Sequence, residues 1–275
     1  MKSAAWIAAV ALSVGACGTS FGQITGKVTL DGKVEPQVID MSGQKECAAK
    51  HAGQVNDPVI TADANGGLAN VIVSIKKEEG AELGGEAKKG EVVLDQKGCM
   101  YEPHVLALQV GQDVVVKNDD DFMHNVHSLA SINPAFNFAQ PNKDPGKKVD
   151  DPLKAAEYFR VKCDVHPWMA AYVGVFEHPF FAVSKADGTF SIDTKGLKDG
   201  DYTIELWHEK LASDTPAEEK VTVKDGKATI NHAFKAESAM ANPVNPANAT
   251  LASDTKKAPC CDTQAVSRKT VAAAK

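Results

Sequence analysis

The chain lacks a long basic stripe. Its 30 lysines and arginines against 36 aspartates and glutamates leave a formal charge of −6, which argues against nucleic acid as a partner. Beyond the extreme N-terminus no apolar stretch is long enough to span a bilayer. Helical periodicity is nearly missing too, and is weakly visible only from Pro152 to Tyr158. From about Ala236 onward large apolar residues almost vanish. Such a segment cannot bury enough surface to offset its ordering entropy, so residues 236–275 are expected to be a disordered tail.

What remains is a 275-residue chain of ordinary globular composition, 43% hydrophobic and 24% charged. Its start, Met1-Lys2-Ser3 and then a small apolar run from Ala4 to Ala16, is too short to span a membrane and suits an export signal. Ser20-Phe21-Gly22 before Gln23 places small residues where a signal peptidase cuts, giving residues 1–22 as the signal. Val14-Gly15-Ala16-Cys17 also reads as a lipobox, in which case Cys17 would carry a lipid. The expected location is periplasmic or extracellular, with membrane attachment only through Cys17. Six cysteines (17, 47, 99, 163, 260 and 261) would then meet an oxidising compartment. An unpaired one there needs a reason, and metal ligation is a good one.

The middle reads as strand throughout. Short β-branched runs such as Gly26–Leu30, Val71–Ile75, Val114–Val116, Ala171–Val175 and Tyr202–Leu206 are separated by Asp-Gly and Asn-Gly turns. The pattern predicts an all-β chain of sandwich architecture.

The sharpest segment is Cys163-Asp164-Val165-His166-Pro167-Trp168-Met169, where a thiol, an imidazole and a thioether fall within seven residues. Upstream stands Phe122-Met123-His124-Asn125-Val126-His127, just after a strand. Two histidines, a cysteine and a weak axial methionine form the ligand set of type 1 (blue) copper. Soft sulphur suits Cu(I), and imidazole serves both oxidation states. Three ligands in one loop cannot close such a site, so His124 must come from a neighbouring strand end, and Pro167 stiffens the loop. Zinc is the rival metal, but structural zinc usually takes four Cys or His ligands and no methionine. His127 is the doubtful member of the set.

Residues 90–177 resemble a cupredoxin, most closely amicyanin, whose short ligand loop has the same Cys-x-x-His-Pro-x-Met spacing. The likeness runs through Gly90–Asp95, Tyr101–Pro103, Val110–Val114 and Met123–His127. It implies a Greek-key sandwich with His124, Cys163, His166 and Met169 as copper ligands, and Asn125 supporting the thiolate. It also implies that a solvent-facing edge of His166 is the electron port, with Pro167 and Trp168 in an apolar docking surface. Met123 departs from the family, which often carries proline there.

The flanks, residues 23–89 and 178–235, resemble a carboxypeptidase regulatory-like β-sandwich, into which the cupredoxin stretch would be inserted. A tandem arrangement is the runner-up. Cys47 and Cys99 are expected to form a disulfide, and a second metal site from Cys47, His51, Cys99 and His104 is the alternative. His178, His208 and His232 read as ordinary surface or interface histidines, Trp207-His208-Glu209 has no assigned chemistry, and Cys260-Cys261 lies in the tail. The expected function is single-electron transfer with redox proteins such as a cytochrome c or a periplasmic dehydrogenase. An enzyme is disfavoured: no His-x-His pairs for a trinuclear cluster, no clear second histidine set and no second cysteine in the ligand loop. Copper storage, or a binding role for the flanking sandwich, is the alternative.

Overall fold

The computed structural model describes residues 22–237. The expected signal, Cys17 and Cys260-Cys261 lie outside the described residues, as does the expected tail beyond 237. Sixteen strands and one short helix follow in order: β1 (Gln23–Asp31), α1 (Lys45–Ala49), β2 (Ile72–Ile75), β3 (Glu91–Lys97), β4 (Met100–Glu102), β5 (Val105–Gln109), β6 (Asp113–Asn118), β7 (His124–Ser128), β8 (Asn137–Gln140), β9 (Asp144–Lys148), β10 (Glu157–Lys162), β11 (Ala170–Phe176), β12 (Phe181–Val183), β13 (Thr189–Asp193), β14 (Gly200–His208), β15 (Ala212–Val223) and β16 (Ala228–Lys235). The all-β expectation holds.

Four sheets result. Two come from the middle of the chain, in the orders β5-β11-β10-β7-β8 and β4-β3-β6-β9. Both mix parallel and antiparallel pairs: β5 runs parallel to β11 and β3 parallel to β6. Between them lies one apolar core that includes Leu94, Leu108, Val116, Val126, Phe159, Val161 and Val173. Alternation explains the choice of face, since β10 buries Glu157, Phe159 and Val161 and leaves the residues between them half-buried.

The other two sheets, β13-β1-β16 and β12-β2-β14-β15, join segments from both ends of the described chain. Strand β1 pairs antiparallel with β13 and parallel with β16. Gly26 permits this close approach, because a Cβ there would fall 1.7 Å from the carbonyl oxygen of Ile230. A separate core with Ile24, Val73, Phe190, Ile204 and Leu206 fills the space between these sheets. A third, smaller cluster of Ile72, Val105, Tyr172, Phe176, Phe181 and Trp207 joins the two cores. Trp207 stacks on Tyr158 with ring centroids 4.9 Å apart, and β11 leaves room for Ile72 by carrying Gly174.

Two expectations are corrected here. The weak helical period at 152–158 does not produce a helix: Glu157 and Tyr158 open β10, which pairs with β11 and satisfies its backbone there. Helix α1, of five residues, is too short to be read from periodicity. Ala236, placed in the expected tail, is buried against the core around Leu30 and Phe234.

Candidate metal centre

The register of β10 with β11 makes residues 163–169 a hairpin connection, with Lys162 opposite Ala170 at its neck. Two backbone hydrogen bonds shape the loop: Cys163 N–H donates to Met169 O at 3.2 Å, and Met169 N–H to His166 O at 3.0 Å. Strand β7 pairs with β10 on the other side, His127 opposite Lys162. That pairing sets His124, the first residue of β7, beside the loop.

The structure brings His124, Cys163 and His166 together. One ligand atom from each lies within 4.8 Å of the other two. The two Nδ1 atoms face each other at 3.0 Å, and Cys163 Sγ is 3.7 Å from His166 Nδ1. Met169, at the loop's end, is fully buried in the same core. Cys163 is the free cysteine among the described residues. At 3% exposure its thiol is shielded from solvent oxidants.

Around these side chains, hydrogen bonds settle orientation. His124 Nε2 lies 2.9 Å from a carboxylate oxygen of Asp120. The carboxylate accepts the Nε2 proton, so the neutral imidazole turns a bare Nδ1 lone pair toward His166 and Cys163. Burial alone would raise the Asp120 pKa, but the Cys99 N–H, His124 and the Gly98 N–H outweigh it and hold it below the ordinary carboxylate value. Burial pushes His124 down, and burial together with the neighbouring His124 pushes His166 down to about 4. Both rings are therefore neutral at pH 7, the state a metal ligand requires.

Asn125 works through both main chain and side chain. Its N–H points at Cys163 Sγ at 3.4 Å, and its Oδ1 accepts from Asp164 N–H at 3.2 Å. Its Nδ2 donates to Asn137 Oδ1 and Phe138 O, which ties the cysteine loop to β8. Tyr101 OH donates to the Asn125 carbonyl at 2.6 Å, from β4 in the opposite sheet. His127 pairs with Asp164 at the surface and points away from the cluster.

The resemblance implied an exposed His166 edge, and the structure differs. His166 is only 3% exposed. Phe122 and Trp168 flank its ring, with centroids at 6.4 and 5.5 Å. The disulfide between Cys47 and Cys99 closes the remaining side, its sulphurs within 4.8 Å of a His166 ring nitrogen. Of the neighbouring side chains, Pro167 is exposed and Trp168 half-buried. Met123, beside His124, is 46% exposed. This cover comes from a distant segment, since α1 reaches the site through a crosslink spanning 52 residues.

The alternative metal set of Cys47, His51, Cys99 and His104 is not assembled. Both cysteines are in the disulfide, His51 Nε2 donates to Gly98 O at 2.7 Å, and His104 pairs with Glu209. Two of the other histidines, His178 and His208, are buried rather than at the surface. His208 is fully buried and accepts N–H bonds from Lys210 and Leu211, while His178 is buried and accepts from Phe180 N–H. His232 is half-buried and pairs with Glu219. Trp207-His208-Glu209 thus serves the junction of the two cores.

Asp120 is the site residue that sequence reading missed. The one signal for it is its place four residues before His124, inside an Asp119-Asp120-Asp121 run that reads as a solvated turn.

No protein-family model matches the chain, and neither does any curated protein. Solved structures do show partial likenesses. A copper-containing nitrite reductase from Thermus scotoductus is 20% identical over 38% of this chain and 25% of its own length, with a TM-score of 0.27. A purple cupredoxin from Nitrosopumilus maritimus is 23% identical over 30% of this chain and 97% of its own, with a TM-score of 0.25. An oxidised amicyanin variant is 24% identical over 38% of this chain and 97% of its own, with a TM-score of 0.27. The match thus spans only a quarter of the nitrite reductase.

Proposed function

We propose that the chain is an exported single-electron carrier built around one type 1 copper ion, held by His124, Cys163, His166 and Met169. The observation that carries this reading is the buried convergence of two Nδ1 atoms and one free thiol, with both rings neutral. Two nitrogens, a thiolate and a nearby thioether are a donor set that suits copper in both oxidation states. A copper ion bound there supplies reversible one-electron chemistry.

The protein's own contribution is rigidity and exclusion of water. The hairpin hydrogen bonds fix the loop, Asp120 fixes the His124 ring, and the Asn125 N–H is aimed at the sulphur. A donor set held in one arrangement needs little reorganisation when charge changes. With His166 covered, a partner would approach over exposed residues next to the ligands in sequence, among them Met123 and Pro167. Partners would be redox proteins such as a cytochrome c or a periplasmic dehydrogenase. The location would be periplasmic or extracellular, with a lipid anchor only if Cys17 is modified.

We also read the domain organisation as an insertion. Residues 90–177 would be the cupredoxin unit, and residues 23–89 with 178–235 the second sandwich. The pairing of β1 with β13 and β16 supports this reading. Redox potentiometry of the copper-loaded protein tests the carrier role. Reversible one-electron cycling is expected, whereas irreversible copper loss on reduction would favour storage.

A further inference from the structure

Cys47 and Cys99 lie with both sulphurs within 4.8 Å of a His166 ring nitrogen, all three residues buried. While the disulfide is intact the pair offers no ligand. Yet the S–S bond is not the only thing holding these residues in place. Asp120 accepts the N–H groups of Gly98 and Cys99 at 3.0 and 2.8 Å. Trp168 Nε1 donates to Cys99 O at 3.0 Å. On the other partner's side, His51 Nε2 donates to Gly98 O, and Lys50 sits 3.6 Å from Asp120. Both backbones are therefore tethered beside His166 independently of the crosslink.

We propose that Cys47, Cys99 and His166 form a latent second metal site, opened by a dithiol and taking Cu(I). The dithiol delivers two electrons and two protons. The Cys47–Cys99 bond breaks, each sulphur becomes a thiol, and the reductant leaves as its own disulfide. Cu(I) then displaces the thiol protons and is bound by two thiolates and one imidazole, ligands that suit a soft d10 cation. The site shares His166 with the His124–Cys163 cluster, so the two compete for one ligand. Disulfide state thereby decides which donor set holds copper.

The test separates this proposal from the carrier reading by disabling the first cluster. The full chain carries Cys17→Ser, Cys163→Ser, Cys260→Ser and Cys261→Ser, leaving only Cys47 and Cys99. It is prepared oxidised, or reduced anaerobically with a dithiol that is then removed. Cu(I) is titrated in competition with a chromophoric Cu(I) chelator. The reduced chain is expected to retain one equivalent and the oxidised chain none. X-ray absorption should show two sulphurs and one nitrogen about the metal. Adding His166→Ala should remove the nitrogen and weaken binding about tenfold or more. Equal uptake by the oxidised and reduced chains overturns the proposal, as does unchanged affinity in His166→Ala. Near-ultraviolet circular dichroism of the reduced chain should stay native. Loss of that signal on reduction also overturns the proposal, because the tethers would then not suffice.

Discussion

The Nδ1 atoms of His124 and His166 face each other across 3.0 Å in a buried pocket of the fold. Two lone-pair nitrogens brought so close repel unless something positive sits between them. A proton on His166 Nδ1 serves in the free protein, and a cation serves better, with the Cys163 sulphur 3.7 Å from His166 Nδ1. The arrangement depends on Asp120, which commits the other nitrogen of His124 to a hydrogen bond.

Replacing that carboxylate is the first prediction. Asp120→Asn keeps the shape but removes the charge that accepts the His124 proton and the Gly98 and Cys99 N–H groups. Copper affinity should fall about 10- to 100-fold in a chelator competition. An unchanged affinity would mean that the ring is oriented by packing alone.

Removing the crosslink should lower stability. For a separation of 52 residues, the chain-entropy argument gives up to about 4 kcal/mol lost in Cys47→Ser/Cys99→Ser. Urea unfolding measures it. A loss well under about 1 kcal/mol would mean that the crosslink restricts the unfolded chain little.

The joint between the two cores rests on a missing side chain. A Cβ at Gly174 would lie 2.7 Å from Ile72 and 3.1 Å from the ring of Tyr158. Gly174→Val should therefore cost about 1–3 kcal/mol through overpacking, read as a lower unfolding midpoint. A neutral result would mean that the cluster around Trp207 is loosely packed.

Acid should destabilise the protein in the absence of any metal through two groups outside the His124–Cys163–His166 cluster. Burial holds His178 down to about 4, against an ordinary value of 6.5. Between those pH values the unfolded chain gains a proton that the folded chain refuses. Stability is thus full above 6.5 and falls with pH, by up to about 1.4 kcal/mol per unit. Glu157 adds to this at lower pH. Burial would raise it, but N–H groups of Ser131, Asn133 and Ile132 outweigh burial and hold it below 4.5, so its contribution is present above that value and lost beneath it. His178→Asn, whose amide oxygen can still accept from Phe180 N–H, should flatten the slope between pH 6.5 and 4. Urea midpoints across that range check it.

How much of this was legible in the sequence follows from the range of each interaction. The cluster was legible because Cys163, His166 and Met169 share one short loop and His124 opens a strand beside it. The strands were legible where β-branched and aromatic runs lie between turn signals, as in β11 and β14. The cover over His166 was not, because it depends on how residues 45–51 dock against Gly98 and Cys99, a contact between distant segments. The same holds for His208 and His178, whose burial is decided by packing between the cores. At 152–158 local periodicity pointed to helix, and pairing with β11 overrode it.

The most direct test of the central claim is the visible spectrum after Cu(II) is added to the purified protein. An intense thiolate-to-copper charge-transfer band is predicted, and it should vanish in Cys163→Ser. Copper-loaded wild-type protein without that band would contradict the account.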